Sequence, residues 1–325
     1  MRALTIADGQ LVVTERADPE PASGEVLVRV HGAGLNRADL AQLAGYYPAP
    51  PGSPADIPGL EFAGNVVALG AGVTGLALGA RVFGIAGGGG QAELLAVPAA
   101  QCARVPDALD LVAAGGVPEV FITAHDAMVT QAEVARGETV LVHAAGSGVG
   151  TAAVQLARAF GCTVVGTSRT LDKLERCGEF GLDHAVLAAR ELDPVALADE
   201  ITAAAGPIDV TIDLVGGRYV EADVRGAARR GRIVLVASQA GARAELDIGS
   251  TMFKRLRIHG TMLRARTPDQ KAEATDAFAR DVVPLLGAGT VTPVIARTFP
   301  LDDAREAYDL LAADAVFGKI VLDLT

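Results

Sequence analysis

The stretch Val140-Leu-Val-His-Ala-Ala-Gly-Ser-Gly-Val-Gly150, followed directly by Thr151-Ala-Ala-Val-Gln-Leu-Ala157, decides the fold of this chain. A β-branched apolar run enters a glycine-rich turn, and the turn opens into an amphipathic helix, which is the setting that a dinucleotide phosphate requires. Gly146, Gly148 and Gly150 let the backbone approach a pyrophosphate, and the N–H groups that begin the helix face its negative charge. The stretch therefore predicts a dinucleotide-binding turn, and a tight strand-to-helix turn without a ligand is the alternative.

The end of the next strand indicates which dinucleotide is bound. Thr163-Val-Val-Gly-Thr167 is typical of a buried parallel strand, and it is followed by Ser168, Arg169, Thr170 and Lys173. An NAD site usually has an acid here, roughly 20 residues after the glycines, but the first acid in this chain is Asp172, inside the following helix. An arginine fork and a lysine suit a 2′-phosphate. We therefore predict NADPH rather than NADH, and an ordinary solvated helix start is the alternative.

Composition limits the classes of protein to consider. The 325 residues predict two domains, because a single hydrophobic core seldom grows to that size. No apolar run is long enough to cross a bilayer, and residues 1–8 lack the apolar region of a signal peptide. Three scattered cysteines without a CxxC pair fit a reducing cytoplasm. The net charge of −11 argues against nucleic acid or an anionic membrane as the partner.

Three patterns follow one another along the chain. Up to about residue 118, short strand-like runs broken by Gly and Pro clusters predict an irregular, mostly β domain. From about residue 121 to 261, alternating strands and helices predict a doubly wound parallel sheet, and thus an α/β fold class. The predicted strands are 139–144, 162–167, 184–187, 208–214, 232–237 and 257–261, and the predicted helices are 149–160, 171–180, 194–205 and 219–229. The tail predicts helix 269–286, strand 293–297, helix 302–313 and strand 319–323, the last returning to the first domain's sheet.

Four motifs resemble those of the zinc-free quinone oxidoreductase branch of the medium-chain dehydrogenase/reductase family. They are Gly34-Leu-Asn-Arg-Ala-Asp39, Pro58-Gly-Leu-Glu-Phe-Ala-Gly64, His143-Ala-Ala-Gly-Ser-Gly-Val-Gly150 and Gly318-Lys-Ile-Val321. The segment from Phe253 to Arg266 is similar to the stress-inducible members and their bacterial relatives. The resemblance implies a groES-like, mostly β catalytic domain from residues 1–120 and 262–325, and a Rossmann domain from residues 121–261. It also implies a homodimer that pairs through the strand near residues 256–261, since an apolar sheet edge needs a partner.

No metal site is expected. Zinc alcohol dehydrogenases of this fold have Cys and His ligands where this chain has Asn36 and Leu60, and neither an amide nor a leucine is a usual zinc ligand. A structural zinc lobe needs four closely spaced cysteines, whereas residues 84–104 contain only Cys102. The five histidines show no ligand spacing, so each is interpreted as a surface or hydrogen-bonded core residue.

Two donors are predicted on the side of the electron acceptor. Quinone reduction needs mainly the positioning of nicotinamide and acceptor, assisted by hydrogen-bond donors aimed at the developing oxyanion. Tyr47 and Ser147 match a tyrosine and a serine that the stress-inducible relatives hold there. A loop aromatic covering an apolar edge is the alternative for Tyr47, and a turn residue that satisfies backbone groups is the alternative for Ser147.

Further cofactor contacts are implied by the resemblance. Asn36 is expected to reach the nicotinamide ribose or the substrate, and Thr123, expected at a helix start, to touch the nicotinamide. Ser238 and Leu263 are expected at strand ends, where ligands of open α/β sheets gather, and Lys319 near the cofactor. The full predicted cofactor set is Asn36, Thr123, Gly146, Ser147, Gly148, Val149, Ser168, Arg169, Thr170, Lys173, Ser238, Leu263 and Lys319. Ala188 stands where relatives often have a tyrosine, which leaves Arg169 and Lys173 to bind the 2′-phosphate.

Three functions remain open from the sequence. The first is an NADPH-dependent quinone reductase, with a small-molecule quinone as partner. The second is a reductase of activated alkenes such as enones or enoyl thioesters, since the fold and the hydride step are shared. The third is a cofactor-binding redox sensor or a structural protein with little turnover. Tyr47 and Ser147 favour the first over the third, and the lack of an obvious basic surface in the first domain speaks against coenzyme A thioesters.

Overall fold

The computed structural model describes residues 1–188 and 191–325, and in it the chain forms two compact units. Unit 1 combines Met1–Ile122 with Leu263–Thr325, and unit 2 is the continuous segment Thr123–Met262. The boundaries between the two domains were predicted from the sequence between residues 120 and 121 and between residues 261 and 262. Unit 1 is thus built from both ends of the chain, and unit 2 is inserted between them.

Strands and helices are numbered here in chain order over the described residues. The strands are β1 Arg2–Ala7, β2 Gln10–Glu15, β3 Glu25–Gly34, β4 Glu61–Leu69, β5 Arg81–Ile85, β6 Leu94–Pro98, β7 Cys102–Arg104, β8 Thr139–Val142, β9 Thr163–Ser168, β10 His184–Leu187, β11 Ile208–Asp213, β12 Ala227–Leu235, β13 Arg257–Gly260, β14 Ile295–Pro300 and β15 Lys319–Asp323. The helices are α1 Arg37–Leu43, α2 Leu111–Ala114, α3 Pro118–His125, α4 Gly148–Ala159, α5 Leu171–Gly178, α6 Pro194–Ala205, α7 Tyr219–Gly226, α8 Ile248–Lys254, α9 Pro268–Asp281, α10 Val283–Gly287 and α11 Ala304–Ala312. None of these helices has the length and apolar character of a bilayer-spanning segment.

The described part of unit 2 is a doubly wound α/β sheet. Its strands lie in the order β10-β9-β8-β11-β12-β13, and every neighbouring pair is parallel. The central strand β8 is buried from Val140 to Val142, as expected for a parallel sheet covered on both faces. The predicted α/β class and the alternation of strands and helices are confirmed.

Unit 1 is dominated by a sheet in the order β14-β15-β3-β4-β5-β7, with β6 also paired to β3; its pairs are antiparallel except for the parallel pair β14–β15. Its core packs valines of β3 and β4 against Phe62 and Val82. The last strand, β15, runs antiparallel to β3, with Leu322 opposite Ala33. The prediction that this strand returns to the first domain's sheet is therefore confirmed.

Several predicted boundaries were wrong for local reasons. The single helix predicted over 269–286 is two helices, α9 and α10, that meet at Val282. Pro284 lacks an N–H and its ring crowds the preceding turn, which interrupts a continuous helix. The strand predicted at 293–297 runs from Ile295 to Pro300, and the helix predicted from residue 302 begins at Ala304 after a short 3₁₀ turn. The helix predicted to residue 229 ends at Gly226, and β12 begins at Ala227 instead of at residue 232.

Candidate functional site

The glycine turn of unit 2 is closed so tightly that only glycine fits at its end. Ser147 caps helix α4, and its Oγ accepts a hydrogen bond from the Gly150 N–H at 3.1 Å. A Cβ on Gly150 would lie 2.3 Å from the Ala144 carbonyl oxygen and 2.6 Å from that of Ala145. The turn therefore brings the start of a 12-residue helix against the end of β8, and helix starts of this kind attract anions.

The second strand end, predicted to select the cofactor, lies beside this turn. Strand β9 ends at Ser168, and Thr170 stands at the N-cap of α5. The stem of Lys173 covers Gly146, since a Cβ on that glycine would lie 2.9 Å from the Lys173 Cβ. Arg169 is exposed, and its charge acts to lower the pKa of Tyr219, although burial raises that pKa overall. The structure thus places one predicted cation, Lys173, against the glycine turn, and the roles of Ser168, Arg169 and Thr170 toward a cofactor stay predictions.

His143 at the end of β8 is a hydrogen-bonded core residue. Its Nδ1 lies 2.8 Å from Thr167 Oγ1, its Nε2 lies 2.8 Å from Asp223 Oδ1, and the Tyr219 ring meets it edge-on at 4.8 Å. Burial lowers the pKa of His143, but the Asp223 carboxylate more than offsets this, so the pKa is raised. These contacts anchor the strand that leads into the glycine turn.

Other predicted cofactor residues fall near strand ends or inside unit 1. Ser238 follows the end of β12, and Leu263 follows the end of β13. Val149 lies in the first turn of α4 and is partly exposed. Thr123 was expected at a helix start, and this is wrong: it lies near the C-terminal end of α3. That helix begins earlier because Pro118 suits the first turn, where its missing N–H costs no bond.

Asn36 and Lys319 belong to a buried network in unit 1. The Lys319 ammonium donates to Asn36 Oδ1 at 2.8 Å and to the Leu35 carbonyl, and pairs with Glu61 Oε1 at 2.6 Å. Asn36 Nδ2 also donates to Glu61 Oε1, at 3.0 Å. These three partners match the three protons of an ammonium group. The roles of Asn36 and Lys319 toward a cofactor stay predictions.

Arg264 holds Tyr47 in place, a contact that the sequence did not reveal. Its guanidinium donates to the Tyr47 carbonyl at 3.0 Å, to the Gly87 carbonyl at 3.0 and 2.9 Å, and to Gln42 Oε1 at 2.7 Å. The guanidinium carbon also lies 4.7 Å from the centre of the Tyr47 ring. Burial raises the pKa of the half-buried Tyr47, and the Arg264 charge partly opposes this. The phenol therefore remains a hydrogen-bond donor at neutral pH.

Two carboxyl groups of unit 1 that the sequence analysis passed over, those of Asp39 and Glu119, have raised pKa values. Burial raises the pKa of Glu119 to about 8, and repulsion from Glu61 adds to this. Burial likewise raises the pKa of Asp39 to about 6, although hydrogen bonds from Asn36 and Gly59 act against it. The only sequence signal for Glu119 was an acid between apolar neighbours, Val117-Pro118 and Val120-Phe121. Across residues 1–188 and 191–325, no three His, Cys, Asp or Glu side chains form a group that could hold a metal ion.

Comparison with known proteins agrees with both units. Residues 22–107 match the family model described as alcohol dehydrogenase GroES-like domain, and residues 148–280 match the one described as zinc-binding dehydrogenase. Quinone oxidoreductase of Rattus norvegicus is 31% identical over 335 residues, which cover 99% of this chain and 97% of that protein. Polyketide synthase GfsB of Streptomyces halstedii is 35% identical over 306 residues, which cover 92% of this chain but only 5% of the synthase. The structure of Escherichia coli quinone oxidoreductase complexed with NADPH superposes with a TM-score of 0.86 at 26% identity, over 99% of each chain.

Proposed function

Because this chain belongs to the medium-chain dehydrogenase/reductase family, in its quinone oxidoreductase branch, we propose that it reduces quinones with NADPH by direct hydride transfer and without a metal. The observation that carries the proposal is the glycine turn. Gly150 leaves no room for a side chain, the start of helix α4 faces the turn, and Lys173 lies across Gly146. This arrangement is suited to a dinucleotide phosphate with a further phosphate nearby.

The residues of unit 2 fit NADPH. The cofactor, when bound, supplies the hydride and the electron pair of the reaction. Gly146, Gly148 and Gly150 leave room for the pyrophosphate at the helix start. Arg169 and Lys173 offer cations for the 2′-phosphate, and Ser168 and Thr170 offer hydroxyl groups. Two features support NADPH over NADH: these cations, and the NADPH complex of the similar Escherichia coli structure.

Tyr47 and Ser147 act on the acceptor in this proposal. Tyr47 keeps its phenol proton at neutral pH, and Arg264 fixes both its ring and its backbone. Ser147 accepts the Gly150 N–H with its oxygen, which leaves the hydroxyl hydrogen for donation. Each donor stabilises negative charge that develops on the acceptor oxygen as hydride arrives.

A second candidate reaction is the reduction of an activated alkene. The similarity to a polyketide synthase over 92% of this chain favours it, and the same hydride step would serve. A panel of quinones, enones and enoyl thioesters, assayed by NADPH oxidation, separates the two reactions. If no acceptor supports turnover, a cofactor-binding protein of little activity is the remaining interpretation.

The same assay after extensive chelation tests metal independence, and we expect unchanged rates because Asn36 and Leu60 stand where relatives have zinc ligands.

Cofactor selection is tested by dissociation constants. Charge-assisted contacts contribute roughly 1.5–3 kcal/mol each, so Arg169→Ala combined with Lys173→Ala is expected to weaken NADPH binding by at least about a hundredfold. NADH binding should change little. Arg176→Ala is the matched control, since Arg176 is exposed on the same helix, α5. Equal affinity of the wild-type protein for NADH and NADPH would refute the assignment.

A further inference from the structure

The backbone is strained between strand β8 and the glycine turn. Ala144 lies two residues after the end of β8 and has a φ of 51°, a left-handed conformation that crowds the Cβ against the backbone. An alanine has no polar side chain to compensate locally, so the surrounding structure must hold it there. Its carbonyl oxygen accepts the Ser147 N–H at 2.9 Å and lies against Gly150. The shape of the turn therefore depends on Ala144 keeping this conformation.

One residue of the neighbouring strand β9 bonds the chain on both sides of Ala144. On the side of β8, His143 Nδ1 lies 2.8 Å from Thr167 Oγ1. On the side of the turn, the Ala145 N–H donates to the Thr167 carbonyl at 2.9 Å. A hydroxyl group can donate or accept, so the first contact forms in either tautomer of the ring. The side chains of His143 and Thr167 are buried, so bulk water does not compete for this bond.

The far side of the His143 ring is fixed by helix α7. Nε2 lies 2.8 Å from Asp223 Oδ1, and the Tyr219 ring meets the imidazole edge-on. The His143 N–H also donates to the Ile212 carbonyl at 3.1 Å. The ring cannot turn without breaking a buried hydrogen bond, which is costly because the freed group has no water to bond. All of these residues belong to unit 2, so the arrangement lies within one unit.

We propose that His143 and Thr167 are positioning residues that hold the glycine turn, through Ala144, in the conformation that receives the cofactor pyrophosphate, a role that rests on the function proposed above. Both side chains are buried, and they act on the backbone of the turn without touching the cofactor. A turn that is ordered beforehand loses less conformational entropy on binding, which raises affinity. Because NADPH and NADH share the pyrophosphate, this His143–Thr167 clamp should raise the affinity for both equally.

Thr167→Val tests the clamp, because it removes the hydroxyl group and keeps the carbonyl that Ala145 bonds. We expect the dissociation constants of NADPH and of NADH each to rise about tenfold, the size of one buried hydrogen bond. Thr211→Val is the matched control: Thr211 is as buried as Thr167 but lies on β11, paired with Leu141, and its affinities should match wild type. Calorimetry measures all of them. Unchanged affinities in Thr167→Val, or a loss for NADPH alone, would overturn the clamp.

Two replacements of His143 separate its contact with Thr167 from its contact with Asp223. Asparagine has a polar atom on its Cγ, as histidine has Nδ1, whereas leucine has none; both are too short to replace Nε2 beside Asp223. We expect His143→Leu to lose NADPH affinity by about tenfold and His143→Asn to keep most of it. Urea unfolding shows whether the two variants are equally stable. A merely structural role would lower both stabilities without separating the affinities, and equal affinities would overturn the role of the Thr167 contact.

The strain at Ala144 is tested by relieving it. Glycine adopts a positive φ without steric cost, so a turn with Ala144→Gly needs the clamp less. In that background, Thr167→Val should raise the dissociation constant of NADPH by only about twofold instead of about tenfold. Equal losses in the two backgrounds would mean that Thr167 does not act through Ala144, and would overturn the proposal. A wild-type protein that binds neither NADPH nor NADH would instead refute the proposed function, and this inference with it.

Discussion

At the scale of single residues, Tyr47 and Ser147 are expected to affect chemistry more than cofactor binding. Both donors are assigned to the acceptor side, and one lost oxyanion donor can cost up to about 10²–10³ in rate. Quinones accept hydride readily and take protons from water, so we expect Tyr47→Phe and Ser147→Ala to slow hydride transfer by roughly tenfold or less. Stopped-flow absorbance at saturating NADPH measures this step. Wild-type rates in both variants would mean that the two side chains contribute packing only. The positioning of nicotinamide and acceptor would then account for catalysis by itself.

Arg264 is expected to stabilise unit 1. Arg264→Ala leaves the carbonyls of Tyr47 and Gly87 and the Gln42 side chain without their donors, and a buried acceptor left unpaired costs about 1–3 kcal/mol. We expect a loss of at least about 2 kcal/mol in the free energy of unfolding. Arg264→Lys should lose part of this, because an ammonium cannot reproduce the planar fork. Urea unfolding followed by circular dichroism measures both.

The control for Arg264 is Arg280, an exposed arginine whose ion pair is as short as the shortest hydrogen bond of Arg264. Arg280 pairs with Asp281 at 2.7 Å, but its side chain is 67% exposed. Exposed pairs contribute about 0–1 kcal/mol, so Arg280→Ala should change stability little. Equal losses for Arg264→Ala and Arg280→Ala would show that the bonds of Arg264 add no stability beyond those of an ordinary surface arginine.

At the scale of elements, the β8–α4 turn depends on one glycine. In Gly150→Ala the new methyl group would lie 2.3 Å from a backbone oxygen, which cannot move without opening the turn. We expect this variant to lose measurable NADPH binding while remaining folded. Gly178→Ala is the matched control, since Gly178 ends α5 with nothing within 4 Å of its Cβ position. Calorimetry measures the NADPH affinity of both variants. Unimpaired binding by Gly150→Ala would contradict the proposed phosphate position.

The six strands and four of the helices of unit 2 were predictable because each has a consistent local pattern, whereas helix α8 was not predicted. Runs such as Val140–Val142 carry β-branched residues between glycines, and the strand order follows from right-handed crossovers. The site was harder to predict, because a buried Arg264 or a partly buried Glu119 looks in the sequence like any surface charge. Their burial depends on contacts between residues far apart in the chain, such as Arg264 with Gln42, and no local pattern records such contacts. The prediction that Thr123 begins a helix was wrong because α3 begins at Pro118, more than one turn before Thr123.

At the scale of the whole molecule, we expect a homodimer. Strand β13 is an edge of the described parallel sheet, and on the nearby helix α8 Ile248, Met252 and Phe253 are 65%, 71% and 69% exposed. Apolar surface beside an open edge favours association. Ile248→Asp with Met252→Asp should shift sedimentation at micromolar concentration toward the monomer. Leu78→Asp, at a 64% exposed leucine of unit 1, is the control, and a wild-type protein that is only monomeric would contradict the expectation.

The pairing of β15 with β3 also governs how the chain folds during its synthesis. Residues Gly32–Gly34 leave the ribosome long before their partners Val321–Asp323, which are translated after the whole of unit 2. Until then that end of β3 is an unpaired edge, and open edges recruit strands of other chains. Unit 2 is continuous and all its residues are translated before β15, so its folding does not wait for that strand. Nascent chains will therefore carry a finished unit 2 beside an unfinished unit 1, and losses to aggregation during expression should begin at unit 1.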